Sequence, residues 1–289
     1  AADFLEKRIE ELTAGKIDVQ VFPNSQLYGD ADEMKALAMN NVQLIMPSLS
    51  KFPSIVPQIQ LFDLPFLFRD KEHLYKVMDG EVGAKLKSYV DAKKQMIAFD
   101  YWDAGFKHFS SSKKAIINPE DAKGQKFRIQ SSKVLEAQFK AVGGNPQILP
   151  FSEVYSALQQ GVVDATENPL SNFYTKKFNE VQSSLTLSSH GYLGYLVVMN
   201  QQFWNKLPKD LQVEIDLATE IQLESLYMPN SKVVNLTKLK EQTKVFPVKC
   251  VLFTQGINEV QTLANKTHFL SPAVLFQEQI NNEGIKQLF

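Results

Sequence analysis

The sequence predicts an α/β protein, because helical and strand-like segments alternate along most of its 289 residues. Helices are indicated where apolar residues recur every three to four positions, and strands where apolar residues alternate with polar ones or form short unbroken runs. Several helical segments also follow a capping residue or end at glycine. Regular alternation of the two elements is typical of α/β proteins, so we expect helices packed on largely parallel sheets.

The N-terminal part of the chain contains three helix–strand pairs. Phe4, Ile9 and Leu12 share one face of the first helix, which Gly15 ends. The strand after it alternates apolar and polar residues. The three pairs occupy 1–15 and 16–23, 29–41 and 42–47, and about 71–92 and 95–102.

The alternation continues through the middle of the chain. Two helices are indicated, over 131–144 and 152–161, each with a serine cap and a glycine stop. They separate three predicted strands, over 126–130, 146–150 and 162–167.

Helical periodicity returns from about 209 to 241, with Pro229 in its middle. Two interpretations stay open for this stretch. It is either one kinked helix that ties two halves of the molecule together, or two helices separated at Pro229.

Composition excludes some functions. A chain of this length is expected to form two domains. The formal net charge of −1 leaves no basic excess to neutralise phosphates, so nucleic-acid binding is not expected. Cys250 is the only cysteine, which rules out an intrachain disulfide, and its apolar surroundings indicate a buried filler rather than a nucleophile.

The ends and the hydropathy of the chain bear on its location. No stretch approaches the ~18 apolar residues that a membrane-spanning helix needs. The sequence opens with AADFLEKRIEEL, already inside a helical pattern. A natural N-terminus rarely falls at such a point, so we expect a preceding piece with a strand and an export signal.

Signatures of catalysis are mostly absent from the sequence. The histidines at 73, 108, 190 and 268 have no spacing that resembles a zinc site. Phosphate-loop, dinucleotide-binding and nucleophile-elbow motifs are missing as well. Carboxylates occur near predicted strand ends, but none is paired with an obvious second acid or base. We therefore predict a binding protein rather than an enzyme, with no metal and no cofactor.

Arg128 is the most informative cation. Its apolar neighbours point to one face of the predicted strand 126–130 and Arg128 to the other. Because strands in an α/β lobe are normally covered on both faces, the guanidinium is paired, lines a cleft, or reaches solvent from an edge strand. Ser131 and Ser132 follow and place hydroxyls and a helix N-terminus nearby. This combination favours a carboxylate receptor, since a planar guanidinium binds a carboxylate through two parallel hydrogen bonds.

Lys107 and Asn168 are two further candidates. Lys107 lies at a strand end among aromatic residues, and it either faces a ligand or pairs with Asp103 and covers apolar surface with its stem. Asn168 precedes Pro169, so it either caps a helix over 169–180 or presents its amide to a ligand. A neutral amide suits an anionic ligand better than an aspartate would, because it adds no negative charge.

Six segments, in a fixed order, carry a resemblance to a known family. They are GKIDVQVFPNSQLYGDADEMKAL, DLPFLFRD, YWDAGFKHFSSS, GQKFRIQSS, PFSEVYSALQQGVVDATENP and HGYLGYLVVMNQQFWNKLP. The chain resembles the periplasmic substrate-binding proteins of TRAP (tripartite ATP-independent periplasmic) transporters, in particular the C4-dicarboxylate-binding DctP group. The resemblance covers essentially all of the sequence.

The resemblance implies ligand-site roles for several residues. Arg128 matches the carboxylate-binding arginine, Asn168 the pocket asparagine before proline, and Phe151 the pocket aromatic residue. Other positions that match polar or supporting residues are Ser48, Ser131, His190 and, with a one-residue gap, Lys107. If the ligand is a dicarboxylate, Lys107 is the candidate for its second carboxylate, with the lysine stem against Trp102 or Phe106.

The resemblance also implies a two-lobed fold with crossing strands, a long lobe-spanning helix and discontinuous lobes. Lobe I is expected at 1–104 and 194–232, and lobe II at 105–193 and 233–289. The ligand would dock on lobe II, and closure of lobe I would then exclude water. We expect a periplasmic monomer that captures succinate, malate or fumarate and delivers it to the membrane subunits of a TRAP transporter.

Two alternatives stay open on the sequence alone. The ligand could be a monocarboxylate, such as a sugar acid or a 2-oxo acid, with Lys107 pointing away. The chain could also be a cytosolic α/β enzyme whose acid is Asp63 or Glu167. An export signal in the full gene would exclude the enzyme.

Overall fold

The computed structural model describes residues 2–219 and 249–252. The helices in these ranges are α1 (Ala2–Leu12), α2 (Glu33–Ala38), α3 (Lys71–Met78), α4 (Glu81–Asp91), α5 (Lys133–Ala141), α6 (Val154–Gln159), α7 (Leu170–Thr175), α8 (Gln201–Lys206) and α9 (Lys209–Thr219). The strands are β1 (Leu44–Ile45), β2 (Met96–Ser111), β3 (Lys126–Ile129), β4 (Asn145–Ile148), β5 (Ala165–Asn168), β6 (Ser184–Asn200) and β7 (Lys249–Leu252). Short 3-10 helices occupy Leu49–Lys51, Pro57–Asp63, Pro119–Ala122, Phe151–Glu153 and Phe178–Glu180.

All strands of the described residues belong to one mixed sheet. Its order is β1-β6-β2-β5-β3-β4, and β7 also pairs with β6. The pairs β3–β4, β3–β5 and β6–β7 are parallel. The pairs β1–β6, β2–β5 and β2–β6 are antiparallel. The expectation of largely parallel sheets is therefore wrong, because the two longest described strands pair with each other in opposite directions.

The buried apolar side chains form four clusters, which fall into two groups along the chain. The first core region takes its buried residues from 5–102 and 192–218. The second core region takes them from 109–185. Each core region combines helices with part of the shared sheet.

β2 and β6 connect the two core regions. They contain 16 and 17 residues and run antiparallel from the Met96–Asn200 pair to the Ser111–Ser184 pair. β2 therefore extends well beyond the strand predicted over 95–102. Its register shifts at three places, and Gly105, beside one of them, has a φ of +111° that glycine adopts without strain.

The segment 16–23 is not a strand, contrary to the prediction. Ile17, Val19 and Val21 are half-buried and alternate with exposed residues, as the pattern indicates. The N–H of Val19, however, donates to the side chain of Glu10 at 3.2 Å. No neighbouring strand among the described residues supplies the backbone hydrogen bonds that a ladder requires.

Several helix predictions need correction. The helix predicted over about 71–92 is two helices, α3 and α4, with Gly80 as the N-cap of the second. α1 buries Leu5 and Ile9, whereas Phe4 is 38% exposed. The helix predicted over 152–161 starts as the 3-10 turn Phe151–Glu153, and no side chain caps α6.

The C-terminal helical pattern is only partly described. α9 matches the start of the pattern predicted over about 209–241. The rest of that pattern, with Pro229, and the side chain of Cys250 lie outside the described residues. Within the described ranges, every helix is too short or too polar to cross a membrane.

Candidate functional site

Arg128 lies inside the sheet, because β3 has β4 on one side and β5 on the other. The residue is 3% exposed. Nε donates to the carbonyl oxygen of Leu149 at 3.0 Å, and Cζ lies 5.5 Å from the centre of the Phe151 ring. Burial lowers the pKa of Arg128 to about 10, so the guanidinium stays charged at neutral pH. The alternative of an edge-strand arginine that reaches solvent is excluded.

A carboxylate from the turn before α2 approaches this guanidinium. Asp30 Oδ2 lies 4.0 Å from Arg128 Nη2 and accepts a hydrogen bond from the backbone N–H of Phe151 at 2.9 Å. Asp30 Oδ1 accepts from Lys51 Nζ at 2.7 Å. Because 4.0 Å is beyond hydrogen-bond reach, the fork of Arg128 is not bonded to this nearby carboxylate. Sequence reasoning did not identify Asp30 or Lys51, and the acidic run GDADE was the only local signal.

Asn168 is a buried strand residue, 5% exposed. It pairs with His108 across β2 and β5, and its Nδ2 donates to Thr166 Oγ1 at 3.1 Å. Pro169 is the N-cap of α7, which begins at Leu170. The interpretation of Asn168 as a helix cap is therefore wrong, because the β2–β5 ladder continues through this residue. Thr166 is the register partner of Arg128, so Asn168 lies on β5 two residues beyond the position opposite Arg128.

Lys107, Glu167 and His190 form a buried ionic cluster. Lys107 Nζ lies 2.5 Å from Glu167 Oε1, and His190 Nε2 lies 2.7 Å from Glu167 Oε2. The imidazole stacks on Phe109 with ring centres 3.6 Å apart. Lys107 is 1% exposed and pairs with Glu167, so the alternative in which it pairs with Asp103 and covers apolar surface is wrong. Asp103 instead accepts from the hydroxyl of Tyr75 at 2.9 Å.

The protonation state of this cluster follows from its geometry. Burial acts to raise the pKa of Glu167, but the neighbouring Lys107 and His190 outweigh it and lower that pKa to about 2. Burial also lowers the pKa of His190 below its ordinary value, so the ring is neutral at pH 7. A carboxylate only accepts, hence Nε2 of His190 carries the proton, and Nδ1 accepts from Ser188 Oγ at 2.7 Å.

Gly191 makes room for this cluster. A Cβ atom at position 191 would lie 2.7 Å from Cε of Lys107, closer than any real van der Waals contact. Gly191 is also the register partner of Lys107 across β2 and β6. The absence of a side chain at position 191 therefore leaves the space that the end of the lysine side chain occupies.

Phe66 covers the His190 end of the cluster. Its N–H donates to the carbonyl oxygen of His190 at 2.8 Å, and its ring meets the imidazole edge-on at 6.5 Å. Phe66 has a φ of +55°, an uncommon conformation for an aromatic residue.

A group of polar side chains joins the two core regions near Arg128. Gln130, which follows β3, donates from Nε2 to Ser48 Oγ at 2.6 Å. Ser50 Oγ lies 3.3 Å from Gln130 Oε1 and donates to Asp63 Oδ1 at 2.6 Å. Asp63 is buried, which raises the pKa of its carboxyl group. Ser48 was predicted as a site residue, whereas Ser50 and Gln130 were not.

The remaining predicted residues differ in their surroundings. Ser132 caps α5 by accepting from the N–H of Leu135 at 3.4 Å, as predicted, while Ser131 is exposed. Trp102 packs in the first core region with Leu5, Ile9 and Phe99 and is part of that core. A ligand contact from Ser131 or Trp102 stays a prediction.

The arrangement suits the binding of an anion better than a metal or a proton transfer. Arg128 and Phe151 are in contact, and the fork of the buried guanidinium has hydrogen-bonding capacity beyond the bond of Nε to Leu149. A ligand contact shared by these two residues and Asn168 stays a prediction. Among residues 2–219, no group of three histidine, cysteine or acidic side chains could hold a metal ion.

Comparisons with solved structures reveal close relatives. A TRAP periplasmic solute-binding protein from Sulfurospirillum deleyianum, with bound succinate, is 56% identical; the match covers 97% of this chain and 92% of that chain, with a TM-score of 0.80. A second TRAP periplasmic solute-binding protein, from Shewanella oneidensis and also with bound succinate, is 36% identical. The match covers 99% of this chain and 90% of that chain, with a TM-score of 0.80. A third, from Pseudomonas aeruginosa with bound L-malate, is 31% identical. The match covers 97% of this chain and 92% of that chain, with a TM-score of 0.78.

Sequence comparisons agree with the structural ones. The C4-dicarboxylate-binding periplasmic protein DctP of Rhodobacter capsulatus is 51% identical over 219 residues, which are 75% of this chain. The match spans 65% of that relative's own length. The family model described as bacterial extracellular solute-binding protein, family 7 (DctP) matches residues 1–244. The chain therefore belongs to the DctP family of bacterial extracellular solute-binding proteins and has the two-lobed α/β fold of that family.

Proposed function

We propose that this protein is an extracytoplasmic solute-binding protein that captures a small organic acid, in the first place a C4-dicarboxylate such as succinate, malate or fumarate. The observation that carries the proposal is the buried guanidinium of Arg128, whose fork is not bonded to the nearby Asp30 carboxylate. Such a fork binds a carboxylate through two parallel hydrogen bonds. The relatives solved with succinate and L-malate support a four-carbon ligand.

The proposal includes a cleft between two lobes. Lobe I comprises 1–104 and 194–232, and lobe II comprises 105–193 and 233–289. The two core regions support this division, because each takes its buried residues from one proposed lobe, apart from Tyr192 at the boundary. The ligand docks on Arg128 of lobe II, and the approach of lobe I expels water, which strengthens the ionic hydrogen bonds.

The proposed partners follow from family membership. The protein works in the periplasm as a monomer and hands its ligand to the membrane subunits of a TRAP-type transporter. It binds without chemical conversion, since the family consists of solute-binding proteins.

The Lys107–Glu167 pair favours a second candidate function. Because the ammonium group of Lys107 is already 2.5 Å from a carboxylate, its charge is largely balanced inside the protein. A monocarboxylate, such as a sugar acid or a 2-oxo acid, needs only Arg128. A contact between Lys107 and a second carboxylate of the ligand stays a prediction.

A thermal-shift panel tests the function and separates the two candidates. The panel contains succinate, malate, fumarate, sialic acid, pyruvate and lactate at millimolar concentration. A ligand that binds only the folded state stabilises it by RT ln(1 + [L]/Kd), so even weak binders raise the melting temperature. We expect the C4-dicarboxylates to give the largest shifts and the variant Arg128→Met to give none. A panel without any shift, or an equal response of Arg128→Met, would refute the proposal.

A further inference from the structure

Asp30 joins the two core regions at the edge of the candidate site. It lies in the turn before α2, a helix that packs in the first core region through Leu37. Its Oδ2 accepts from the N–H of Phe151, 121 residues away, at 2.9 Å. Phe151 packs against the second core region, and its ring faces the guanidinium of Arg128. One side chain therefore connects the first core region to the residues expected to hold the ligand.

Lys51 keeps the charge of Asp30 from opposing an anionic ligand. Lys51 Nζ donates to Asp30 Oδ1 at 2.7 Å and also bonds Glu33. Burial acts to raise the pKa of Asp30, but Lys51 and the Phe151 N–H outweigh it, so this pKa lies below its ordinary value. The carboxylate is thus ionised and paired with an ammonium group. A ligand carboxylate on Arg128 therefore meets an aspartate whose charge is partly balanced by an ammonium group that Glu33 shares.

The distance between Asp30 and Arg128 distinguishes two possible roles. At 4.0 Å, Asp30 Oδ2 is near enough to interact electrostatically with Nη2 but too far for a hydrogen bond. Asp30 therefore does not occupy the fork and does not replace the ligand. Its hydrogen bonds go to Phe151 and Lys51, which lie on different core regions.

We propose that Asp30 is a positioning residue that fastens the Phe151–Arg128 side of the site to the Ser48–Lys51 side and so retains the bound acid, with Lys51 as its counter-ion. This inference rests on the proposed function. A contact that holds the two sides of the site together acts after the ligand has entered. Its loss is expected to speed dissociation and to leave association nearly unchanged.

The test compares wild type with Asp30→Ala, Asp30→Asn and Lys51→Met. Asp32→Ala is the matched control, because Asp32 lies in the same turn, is exposed and makes no capping hydrogen bond. Stopped-flow fluorescence with succinate gives kon and koff, and calorimetry gives Kd. We expect Asp30→Ala to raise koff about tenfold and change kon less than threefold. Asp30→Asn keeps an acceptor oxygen for the Phe151 N–H and should be intermediate, whereas Asp32→Ala should match wild type.

A merely structural role for Asp30 would act differently. It would lower the melting temperature of the unliganded protein without a selective change in koff. An unchanged koff in Asp30→Ala would overturn the inference. Tighter binding of succinate by Asp30→Ala would also overturn it, because that result would mean that Asp30 competes with the ligand for Arg128. If wild type binds none of the acids in the panel, the proposed function fails and this inference fails with it. If wild type binds succinate and all variants have the same koff, the proposed role of Asp30 is wrong but the proposed function stands.

Discussion

Lys107 and Arg128 are both buried cations, on strands β2 and β3 that lie either side of β5, yet their partners differ. Lys107 is 1% exposed and bonds Glu167, which also bonds His190. Arg128 is 3% exposed and bonds a backbone carbonyl, with the Asp30 carboxylate 4.0 Å away. A buried charge that is paired inside the protein has its desolvation cost offset by its partner, whereas a buried guanidinium with spare donors can bind an external anion. Burial alone therefore does not identify a ligand site; the set of internal partners does.

The largest expected effect comes from removing the paired cation. Lys107→Met keeps the length of the stem but leaves Glu167 buried without its ammonium partner. Breaking a buried ion pair in this way costs about 3–5 kcal/mol of folding free energy. Urea unfolding measures this loss. Lys76→Met, which removes an exposed lysine paired with Glu72, is the control and should leave the free energy of unfolding nearly unchanged.

A second substitution checks the cause of that loss. Lys107→Met combined with Glu167→Met removes both charges and should recover a large part of the stability. If Lys107→Met lowers the free energy of unfolding no more than the exposed control Lys76→Met does, the pair between Lys107 and Glu167 does not stabilise the fold, and the contrast with Arg128 is wrong.

Acid pH should act on the same cluster. The pKa of Glu167 is about 2 in the folded protein, below its ordinary value of 4.5. The stabilisation is therefore complete above pH 4.5 and is lost as the pH falls from 4.5 toward 2, because the unfolded chain takes up the proton first. The loss is roughly 3 kcal/mol. Urea unfolding at a series of pH values should show it in wild type, and Glu167→Gln should lack it.

His190 contributes to the pH dependence over a higher range. Burial lowers the pKa of His190 below 6.5, so the unfolded chain binds this proton first and stability declines as the pH falls below 6.5. The variant Glu167→Gln keeps the histidine and should still show this part of the decline. A flat stability profile of wild type between pH 6.5 and 5 would contradict the assignment of His190, and a flat profile between pH 4.5 and 2 would contradict that of Glu167.

A smaller and more selective effect is expected from the other cation. Arg128→Lys retains the charge but replaces a planar fork by a point charge, which cannot form two parallel hydrogen bonds with a carboxylate. We expect succinate affinity to fall by about 1.5–3 kcal/mol, the value of a hydrogen bond to a charged group. Calorimetry measures this change. An affinity within about threefold of wild type would show that the bidentate geometry is unimportant.

Local features of the site were predictable from the sequence. The spacing of apolar residues around Arg128 predicted β3, and the Ser-Ser pair after it predicted the cap of α5, which Ser132 provides. Both depend on residues close in the chain. The cap predicted for Asn168 is wrong because strand pairing with β2 overrides the local preference of Asn-Pro for a helix start.

The partners of the charged groups were not predictable. Lys107 and Glu167 are 60 residues apart, and only the register of β2 and β5 brings them together. Asp30 and Phe151 are separated by 121 residues and come from different core regions. A single sequence contains no signal for such a pairing, because an acidic residue before a helix is equally typical of an ordinary solvated turn.

The steric relation between Gly191 and Lys107 limits how this protein can evolve. A methyl group at position 191 would meet Cε of Lys107 at 2.7 Å, so a side chain there requires the end of the lysine side chain to move. A shorter residue at 107 leaves Glu167 without its cation. A change at either position therefore disturbs the Lys107–Glu167 ion pair. Among descendants of this sequence, positions 107, 167 and 191 are expected to be inherited as a unit and to change together.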